Sequence, residues 1–369
     1  MPLYHQYCIY IRRFTLTHMN KDISYLASLD LPWFKLQNSS VLITGATGMI
    51  GKLLIDTIMY RNIHNDMNCS IYAISRTEDT AKKRFRDYWD SPYFTYISHD
   101  INQPLYLVQG VTIEYFIHMA SNTHPVAYAS DPIGTVTANV IGTHLLLDSA
   151  VRHKCKRFLF TSTCEVYGEN RGDVEFFEES YCGYIDCNTL RAGYPESKRC
   201  GEALCQAYKS QHQLDIVIPR LSRTYGPSML TSDTKAISQF ILKGVHDEDI
   251  ILKSEGTQLF TYTHVTDSVS GILTTLLLGV NGEAYNIAHE SSDIMMKDLA
   301  GLIADYTGRK VIFELPDAVE RAGFSTATKS RLDGTKIQKL GWNPLYTIET
   351  GIQDTINRMK QSTLIINES

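Results

Sequence analysis

The sequence predicts an α/β fold in which a doubly wound parallel sheet carries helices on both faces. Apolar runs of strand length alternate with segments of helical period, and this alternation is typical of a parallel sheet. The runs are almost continuously hydrophobic, as expected for strands that are buried on both faces. The first run leads directly into a glycine-rich loop and a helix. The apolar runs are 41–44, 71–74, 115–120, 158–163 and 215–220, and the predicted helices are 49–61, 78–90, 133–152 and 195–212.

The composition is that of a globular protein with one large domain or two closely joined ones. Of 369 residues, 43% are hydrophobic, and the formal net charge of −5 is small. These values exclude extensive disorder. The balance of 35 basic against 40 acidic residues argues against nucleic-acid binding through bulk charge. An apolar run of about 18 residues, which would predict a membrane span, is absent.

The eight cysteines are scattered along the chain, and their spacing does not fit a zinc site. We therefore expect reduced thiols in a cytoplasmic protein without a signal peptide, and no bound metal.

Four segments are predicted along the chain: an N-terminal extension (1–38), a nucleotide-binding domain (39–220), a mainly substrate-binding domain interleaved with the first (221–358) and a tail (359–369). The extension includes a short amphipathic helix within 20–31. After residue 220 the regular alternation ends. The segments expected there are helices at 234–245 and 296–307 and strands at 259–265 and 311–314. We expect this part to cap the carboxyl edge of the sheet without extending it.

The glycine-rich loop between the first strand and the first helix predicts a dinucleotide site. Its glycines are spaced GxxGxxG, which permits a tight turn and brings a pyrophosphate to the free N–H groups of a helix N-terminus. A phosphate loop of the NTPase type is excluded because Leu53 follows Lys52 where Ser or Thr is required. The alternative is an ordinary glycine-rich turn. The predicted contacts are Gly45, Thr47, Gly48, Met49, Ile50 and Gly51.

The end of the second strand favours NADP over NAD. An acidic residue there would bind the ribose hydroxyls of NAD, but this chain has Ser75 and Arg76, which suit a 2′-phosphate. Asp100 follows the third strand and is a candidate contact to the adenine amino group, or else a turn-forming residue. Ile101, Ala120 and Ser121 are further predicted cofactor contacts, and Tyr194 and Lys198 complete the set, with Lys198 at the nicotinamide ribose hydroxyls.

A Tyr-x-x-x-Lys pair predicts oxidation chemistry at a hydroxyl group. Tyr194 and Lys198 lie four residues apart at the start of a helix. A cationic lysine near the phenol lowers its pKa, so Tyr194 can act as a base at neutral pH. Thr163 lies at the end of a predicted strand, where its hydroxyl can bind the oxygen that is oxidised. Glu165 is a candidate second base, or a salt-bridged loop residue.

Together these motifs resemble the extended short-chain dehydrogenase/reductase superfamily, in its nucleotide-sugar epimerase/dehydratase branch. The resemblance covers about residues 40–355. It implies a Rossmann domain with tightly bound NAD(P), a smaller C-terminal mixed α/β domain for a nucleotide-diphosphate sugar, and a homodimer formed through helices 133–152 and 195–212. The motifs are TGATGMIG (44–51), HMASNT (118–123), NVIGTHLLLDSA (139–150), TSTCEVYGE (161–169), YPESK (194–198) and PRLSRTYGPSM (219–229).

In that family the sugar is oxidised at C4, and the 4-ketone then leads to 4-epimerisation, 4,6-dehydration or decarboxylation. The Thr163-x-Glu165 pattern resembles dehydratases and UDP-glucuronate decarboxylases. Dehydratases of the dTDP-glucose type have an Asp between these two residues, where this chain has Cys164. That thiol is either a proton donor or a buried filler. We expect a 4-epimerase or a 4,6-dehydratase first and a decarboxylase next, that is, an isomerase or a lyase of carbohydrate biosynthesis.

Two departures from the family pattern concern the substrate. Phe260 replaces the arginine that contacts the diphosphate in GxxxRxFxxVxD, and Arg223 replaces the asparagine before the Tyr-Gly-Pro motif. Our hypothesis is that Arg223 reaches the diphosphate from this second position, the alternative being a salt bridge within the C-terminal domain. Thr123 is a further predicted substrate contact.

Two other functional classes remain open. One is a redox-sensing or scaffold protein that keeps the cofactor without turnover, and the other is an NADP-dependent ketone or aldehyde reductase. Retention of Tyr194, Lys198 and Thr163 favours an enzyme, and the C-terminal part of the chain favours a nucleotide sugar over a simple ketone.

Overall fold

A parallel sheet of seven strands forms the centre of the protein, in the order β3-β2-β1-β4-β5-β7-β11, with the short β6 paired to β7. The computed structural model describes residues 21–108, 110–123, 128, 130–314 and 327–367. The strands of this sheet are β1 (Ser40–Thr44), β2 (Ser70–Ser75), β3 (Phe94–Ser98), β4 (Tyr115–His118), β5 (Arg157–Phe160), β6 (Ser162–Thr163), β7 (Ile216–Leu221) and β11 (Ala284–Ile287). The predicted doubly wound α/β fold is confirmed.

Helices cover both faces of this sheet. Neighbouring residues of each strand point in opposite directions, so that a continuously apolar strand has an apolar side chain to bury on each face. In β1, Val41 and Ile43 pack on one face, while Leu42 packs on the other. The described α-helices are α1 (Lys21–Ser28), α2 (Met49–His64), α3 (Glu78–Arg84), α4 (Pro132–Thr137), α5 (Thr143–Arg152), α6 (Gly193–His212), α7 (Ala236–Val245), α8 (Val265–Leu278), α9 (Met296–Thr307), α10 (Thr335–Gln338) and α11 (Ile348–Asn367). A π-helical segment, Ala138–Gly142, joins α4 to α5.

A smaller mixed sheet lies beyond residue 221. Its central strand β10 pairs in parallel with β8 and β14 and antiparallel with β12. A separate two-stranded parallel sheet joins β9 to β13. The bounds are β8 (Arg223–Tyr225), β9 (Ile250–Leu252), β10 (Leu259–His264), β12 (Asp293–Met295), β13 (Val311–Phe313) and β14 (Lys329–Ser330).

The expectation that the chain after residue 220 does not extend the large sheet is wrong. Strand β11 pairs in parallel with β7, so that Ala284 faces Ile218 and Ile287 faces Leu221. The strand is only four residues long and contains a buried asparagine, Asn286. That side chain donates to the carbonyls of Phe177 and Asp333. Its burial therefore depends on distant partners that the local pattern does not reveal.

Three other elements differ in extent from their predictions. Helix α3 ends at Arg84 instead of residue 90. The run 158–163 forms two consecutive strands, β5 and β6, which are separated at Thr161 and both pair with β7. The helix predicted over 133–152 is divided by the π-helical segment Ala138–Gly142.

The two ends of the described chain are held together by a buried acid. The Asp22 carboxylate of α1 accepts a hydrogen bond of 2.8 Å from the Tyr346 hydroxyl and pairs with Arg358 of α11. Burial alone would raise the pKa of Asp22, but the Arg358 guanidinium holds it below its usual value. Residues 1–20, which make up the first part of the predicted extension, lie outside the described residues. Within the described part of the chain, no helix is long and apolar enough to cross a membrane.

Candidate active site

The glycine loop lies where the strand order reverses between β1 and β4, which is the usual ligand crevice of such sheets. Gly45 has a φ of 69°, and a Cβ there would lie 2.9 Å from the backbone of Met119 and Ala120. A Cβ on Gly51 would lie 2.5 Å from the Gly45 carbonyl oxygen. The Thr44 hydroxyl accepts hydrogen bonds from the Met119 and Ala120 N–H groups, each of 3.1 Å. These contacts fix the loop against the end of β4.

The N-terminus of α2 fits the pyrophosphate of a dinucleotide. The N-cap residue is Gly48, and no side chain caps this end of the helix. The N–H groups of the first turn therefore remain available to a ligand. Gly48 is exposed, while Thr47, Met49 and Ile50 are half-buried around it. Positive helix dipole and free donors at this point are suited to the diphosphate of NAD(P).

The ends of β2 and β3 form the region predicted to receive the adenosine. The Ser75 hydroxyl lies 3.1 Å from the Tyr96 hydroxyl, and Arg76 next to it is exposed. Asp100 accepts a 3.0 Å hydrogen bond from the Asn102 N–H and so closes a turn, the alternative given for this residue from the sequence. Ile101 is buried close to Gly142 of the π-helical segment.

Tyr194 and Thr163 are brought together at the carboxyl edge of the sheet. Tyr194 lies in the first turn of α6 and is only 7% exposed. Burial raises the pKa of the Tyr194 phenol, as does the negative charge of Glu165, whereas a hydrogen bond with Thr163 and the charge of Arg191 lower it. The Thr163 hydroxyl also accepts from the Glu165 N–H at 3.3 Å. The three side chains therefore belong to one cluster.

Lys198, one turn after Tyr194 in α6, is buried. Its ammonium group donates to the Thr161 carbonyl at 2.9 Å and lies 4.8 Å from the centroid of the Phe160 ring. Burial lowers the pKa of Lys198 to about 8. Lys198 was the predicted source of positive charge at the phenol, and the charge of Arg191 also lowers the pKa of Tyr194.

A polar chain that the sequence analysis missed supports the backbone of Tyr194. Ser121 donates to the Asn139 amide oxygen at 2.8 Å, and the Asn139 amide group donates to Ser197 at 3.0 Å. Ser197 in turn donates to the Tyr194 carbonyl at 2.8 Å. Asn139 is fully buried in the π-helical segment, a conformation often found at functional sites. A buried asparagine on an otherwise apolar helix face was the available signal.

Arg191 and Tyr128 also belong to the cluster and were not predicted. Arg191 lies 2.7 Å from the Glu165 carboxylate, and the Tyr128 ring stacks on the ring of Tyr194. The segment that precedes YPESK, namely RAG (191–193), contained the signal for Arg191.

The two substituted family positions, Arg223 and Phe260, lie against each other beside Cys164. The Arg223 guanidinium stacks on the Phe260 ring, with its central carbon 3.5 Å from the ring centroid. Its Nη1 is 3.8 Å from the Cys164 sulfur. Burial raises the pKa of the Cys164 thiol, although Arg223 partly opposes this. Thr123, the further predicted substrate contact, is exposed.

Residues 41–288 match the model of the NAD dependent epimerase/dehydratase family, and the chain belongs to this family. Among curated relatives, UDP-glucuronic acid decarboxylase 6 of Arabidopsis thaliana is 31% identical over 86% of this chain and 88% of its own length. UDP-glucuronic acid decarboxylase 1 of Xenopus tropicalis is 29% identical over 87% of this chain and 72% of its own length. The chain is therefore an enzyme of the epimerase/dehydratase type.

Solved structures of this fold include enzymes with different reactions. A dTDP-glucose 4,6-dehydratase from Streptomyces venezuelae, with NAD bound, has a TM-score of 0.75 at 23% identity, covering 88% of this chain and 98% of that one. A UDP-glucuronic acid 4-epimerase from Bacillus cereus, in complex with UDP-glucuronic acid and NAD, has a TM-score of 0.72 at 21% identity, covering 88% and 99%. These likenesses identify the fold and leave the reaction open.

Substitution of Gly51 by Ala tests the glycine loop. The added methyl group would overlap the Gly45 carbonyl and push α2 away from β1. We expect NAD(P) binding to weaken about tenfold or more, which is about 1.4 kcal/mol or more. Isothermal titration calorimetry with both dinucleotides measures it. The matched control is Gly301→Ala, in α9, where a Cβ meets nothing within 4 Å. Equal affinities for the two variants would contradict this assignment.

Proposed function

We propose that this member of the NAD dependent epimerase/dehydratase family oxidises a nucleotide-activated sugar at C4, with Tyr194 as the base. The observation that carries the proposal is the Tyr194 phenol, buried in the first turn of α6 and hydrogen-bonded with Thr163 at the end of β6. A phenol in this position can accept the proton of the C4 hydroxyl, and the Thr163 hydroxyl can hold the same oxygen. Curated relatives that act on UDP-glucuronic acid support the substrate class.

The residues around the crevice fit a bound dinucleotide. Gly45 to Gly51 would hold its pyrophosphate, and Tyr194 with Lys198 would lie at the nicotinamide ribose. The chemistry that NAD(P) supplies when bound is reversible transfer of hydride. Lys198, with its pKa lowered to about 8 by burial, can exchange a proton near neutral pH and so can pass protons between Tyr194 and the ribose hydroxyls.

NADP is the cofactor we propose first, and NAD is the alternative. The support is the pair Ser75 and Arg76 at the end of β2, where an acidic residue would favour NAD. Arg76 is exposed and its guanidinium is free to turn toward a 2′-phosphate, which suits its planar donor fork. Structures of this fold with NAD bound keep the alternative open.

Substitution of Arg76 by Ala tests this preference. If Arg76 binds the 2′-phosphate, the affinity for NADP should fall about tenfold or more, because a charged hydrogen bond contributes about 1.5–3 kcal/mol. The affinity for NAD should stay within about twofold, which corresponds to about 0.4 kcal/mol. Calorimetric titration of both dinucleotides measures the difference. Lys83→Ala, an exposed cation of the next helix, is the control. Equal loss for NAD and NADP would argue against 2′-phosphate recognition.

Among the three fates of the 4-ketone, the charges beside Cys164 favour decarboxylation of an acidic sugar. Dehydration needs an acid at position 164, but burial raises the pKa of the Cys164 thiol and makes it a poor proton donor. Arg223 supplies a positive charge 3.8 Å from that sulfur, which suits a carboxylate on C6. The curated relatives are UDP-glucuronic acid decarboxylases, which agrees with this choice. Decarboxylation therefore moves ahead of the order expected from the sequence.

The steps of this reaction balance if NAD(P), when bound, takes up the hydride and gives it back, and if one proton from solvent is delivered to C5. As hydride leaves C4, Tyr194 accepts the hydroxyl proton and a C4 ketone forms. The bond from C5 to the carboxylate then breaks, carbon dioxide leaves, and its electron pair forms an enolate across C5 and C4. Protonation at C5, return of hydride to C4 and return of the Tyr194 proton give a pentose. Glu165, the acid of the TSTCEVYGE motif (161–169), is our candidate for handling the proton at C5.

Two other fates remain as alternatives. A 4-epimerase returns hydride to the opposite face of C4, and the 4-epimerase of this fold that binds UDP-glucuronic acid also takes an acidic sugar. A 4,6-dehydratase would need Cys164 or another group as the acid. An NADP-dependent ketone reductase would release its cofactor after each turnover.

Product analysis distinguishes these reactions. We expect UDP-glucuronate to give a UDP-pentose and carbon dioxide, with deuterium at C5 in D₂O, as read by NMR. Tyr194→Phe should reduce the rate about 100- to 10,000-fold, because the base is removed. UDP-glucose, dTDP-glucose, GDP-mannose and a CDP-hexose complete the panel.

Each other outcome assigns a different reaction. Inversion at C4 without C5 exchange would identify an epimerase, and a new methyl signal would identify a dehydratase. Undiminished conversion by Tyr194→Phe would overturn the C4 oxidation mechanism itself.

Arg223 can be tested separately, because its anion is either the C6 carboxylate or the diphosphate. Titrations with UDP-glucuronate and UDP-glucose use the Tyr194→Phe background, in which turnover is suppressed. We expect Arg223→Gln to weaken the binding of UDP-glucuronate about tenfold or more, because a charged hydrogen bond to the acid is lost. The affinity for UDP-glucose should stay within about twofold of its original value. Equal weakening of both ligands would assign Arg223 to the diphosphate instead. Arg223→Lys should recover part of the binding.

We also propose a homodimer formed through the helices at 132–152 and 193–212. Ile133, Val136 and Ile141 are exposed apolar side chains on the first of these segments. Their burial against a second copy would remove apolar surface from water.

A further inference from the structure

Arg191 is an arginine next to the candidate catalytic residues that the proposed reaction has not yet used. It lies in the short 3-10 segment Leu190–Ala192, immediately before α6. Its Nη2 donates to Oε2 of Glu165 at 2.7 Å. Its guanidinium carbon lies 4.9 Å from the centroid of the Tyr128 ring. One side chain thus contacts both an acid of the cluster and an aromatic ring.

Tyr128 connects this guanidinium to Tyr194. The two tyrosine rings are stacked, with centroids 4.7 Å apart and planes inclined by 22°. Each tyrosine is 7% exposed, so water is largely excluded from the stack. Guanidinium, first ring and second ring therefore pack in sequence, and a planar cation over an aromatic face is attracted to it. This packing restricts the orientation of the Tyr194 ring.

The ion pair with Glu165 engages only one of the three nitrogen atoms of the Arg191 guanidinium. Among the described residues, neither Nε nor Nη1 has a hydrogen-bond acceptor, although both atoms are buried. Buried donors in proteins almost always have partners, which suggests that this side of the guanidinium faces a bound group or ordered water. The Arg191 charge also lowers the pKa of the Tyr194 phenol, against the effects of burial and Glu165.

We propose that Arg191, acting with Tyr128, is a positioning residue that holds Glu165 and the Tyr194 ring in place and supplies the positive charge that favours loss of the phenolic proton. This inference rests on the proposed role of Tyr194 as the base. It adds the charge of Arg191 to that of Lys198, which the sequence pattern places near the same phenol. It also explains why the half-buried Arg191 lies against both an acid and an aromatic ring, where a lysine could not stack in the same way.

The test is the pH dependence of kcat for Arg191→Gln, Arg191→Lys and Tyr128→Leu. A cation near a phenol stabilises tyrosinate, so its removal requires a higher pH for the same fraction of base. We expect the ascending limb for Arg191→Gln to move about one pH unit to the alkaline side. Arg191→Lys should move it less, because charge is kept while the stack is lost. Tyr128→Leu should lower kcat and leave the KM of the sugar within about twofold.

Arg331→Gln is the matched control. Arg331 also pairs with carboxylates, those of Asp293 and Glu175, and stacks on an aromatic ring, Phe176. The two variants should therefore lose comparable stability, but only the Arg191 variant should shift the pH profile. Unfolding midpoints in urea provide the comparison.

An unchanged pH profile for Arg191→Gln would assign a structural role only and overturn the inference. So would an equal shift for Arg331→Gln. Failure of the proposed function is recognised by a different variant. If Tyr194→Phe retains activity, the proposed function fails, whatever result the Arg191 variants give.

Discussion

The burial of the Tyr194 phenol is the constraint on which the rest of the site depends. Burial holds the ring in place and keeps water away, but it also raises the pKa of the phenol, as does the nearby Glu165 carboxylate. A phenol whose pKa is too high stays protonated near neutral pH. It then cannot accept a proton from an alcohol as the proposed reaction requires. The surrounding residues must therefore supply hydrogen bonds and positive charge, and Thr163 and Arg191 do so.

Three cations lie near the cluster, and they differ in how firmly they keep their charge. Lys198 is buried, and its pKa falls to about 8, so its charge is readily lost. Arg191 and Arg223 are guanidinium groups, which stay protonated under all physiological conditions. Each stacks on an aromatic ring, Tyr128 or Phe260, and so keeps a fixed direction. The permanent electrostatic field of the site therefore comes from the two arginines, while Lys198 is suited to proton exchange.

Local sequence patterns predicted the large sheet, the glycine loop and the helix that carries Tyr194, because each depends on neighbours within a few residues. Strand β11 was missed, since its buried Asn286 is satisfied by carbonyls far away in the sequence. The role of Asn139 was missed for a similar reason: its partners Ser121 and Ser197 come from different elements. The proximity of Tyr128, Arg191 and Glu165 also depends on tertiary packing, which no single motif contains.

The placement of Arg223 illustrates how a site can keep a charge while its sequence motif changes. In the register of the small sheet, Arg223 pairs with Tyr262 of β10, two residues from Phe260. Residues two apart on a strand point to the same face, and Arg223 reaches across to the Phe260 ring. A guanidinium lost from one strand can therefore be replaced from the adjacent one with little displacement. The end of the Arg223 side chain then lies beside Cys164, and this position is the reason why we propose a substituent of the sugar as its partner.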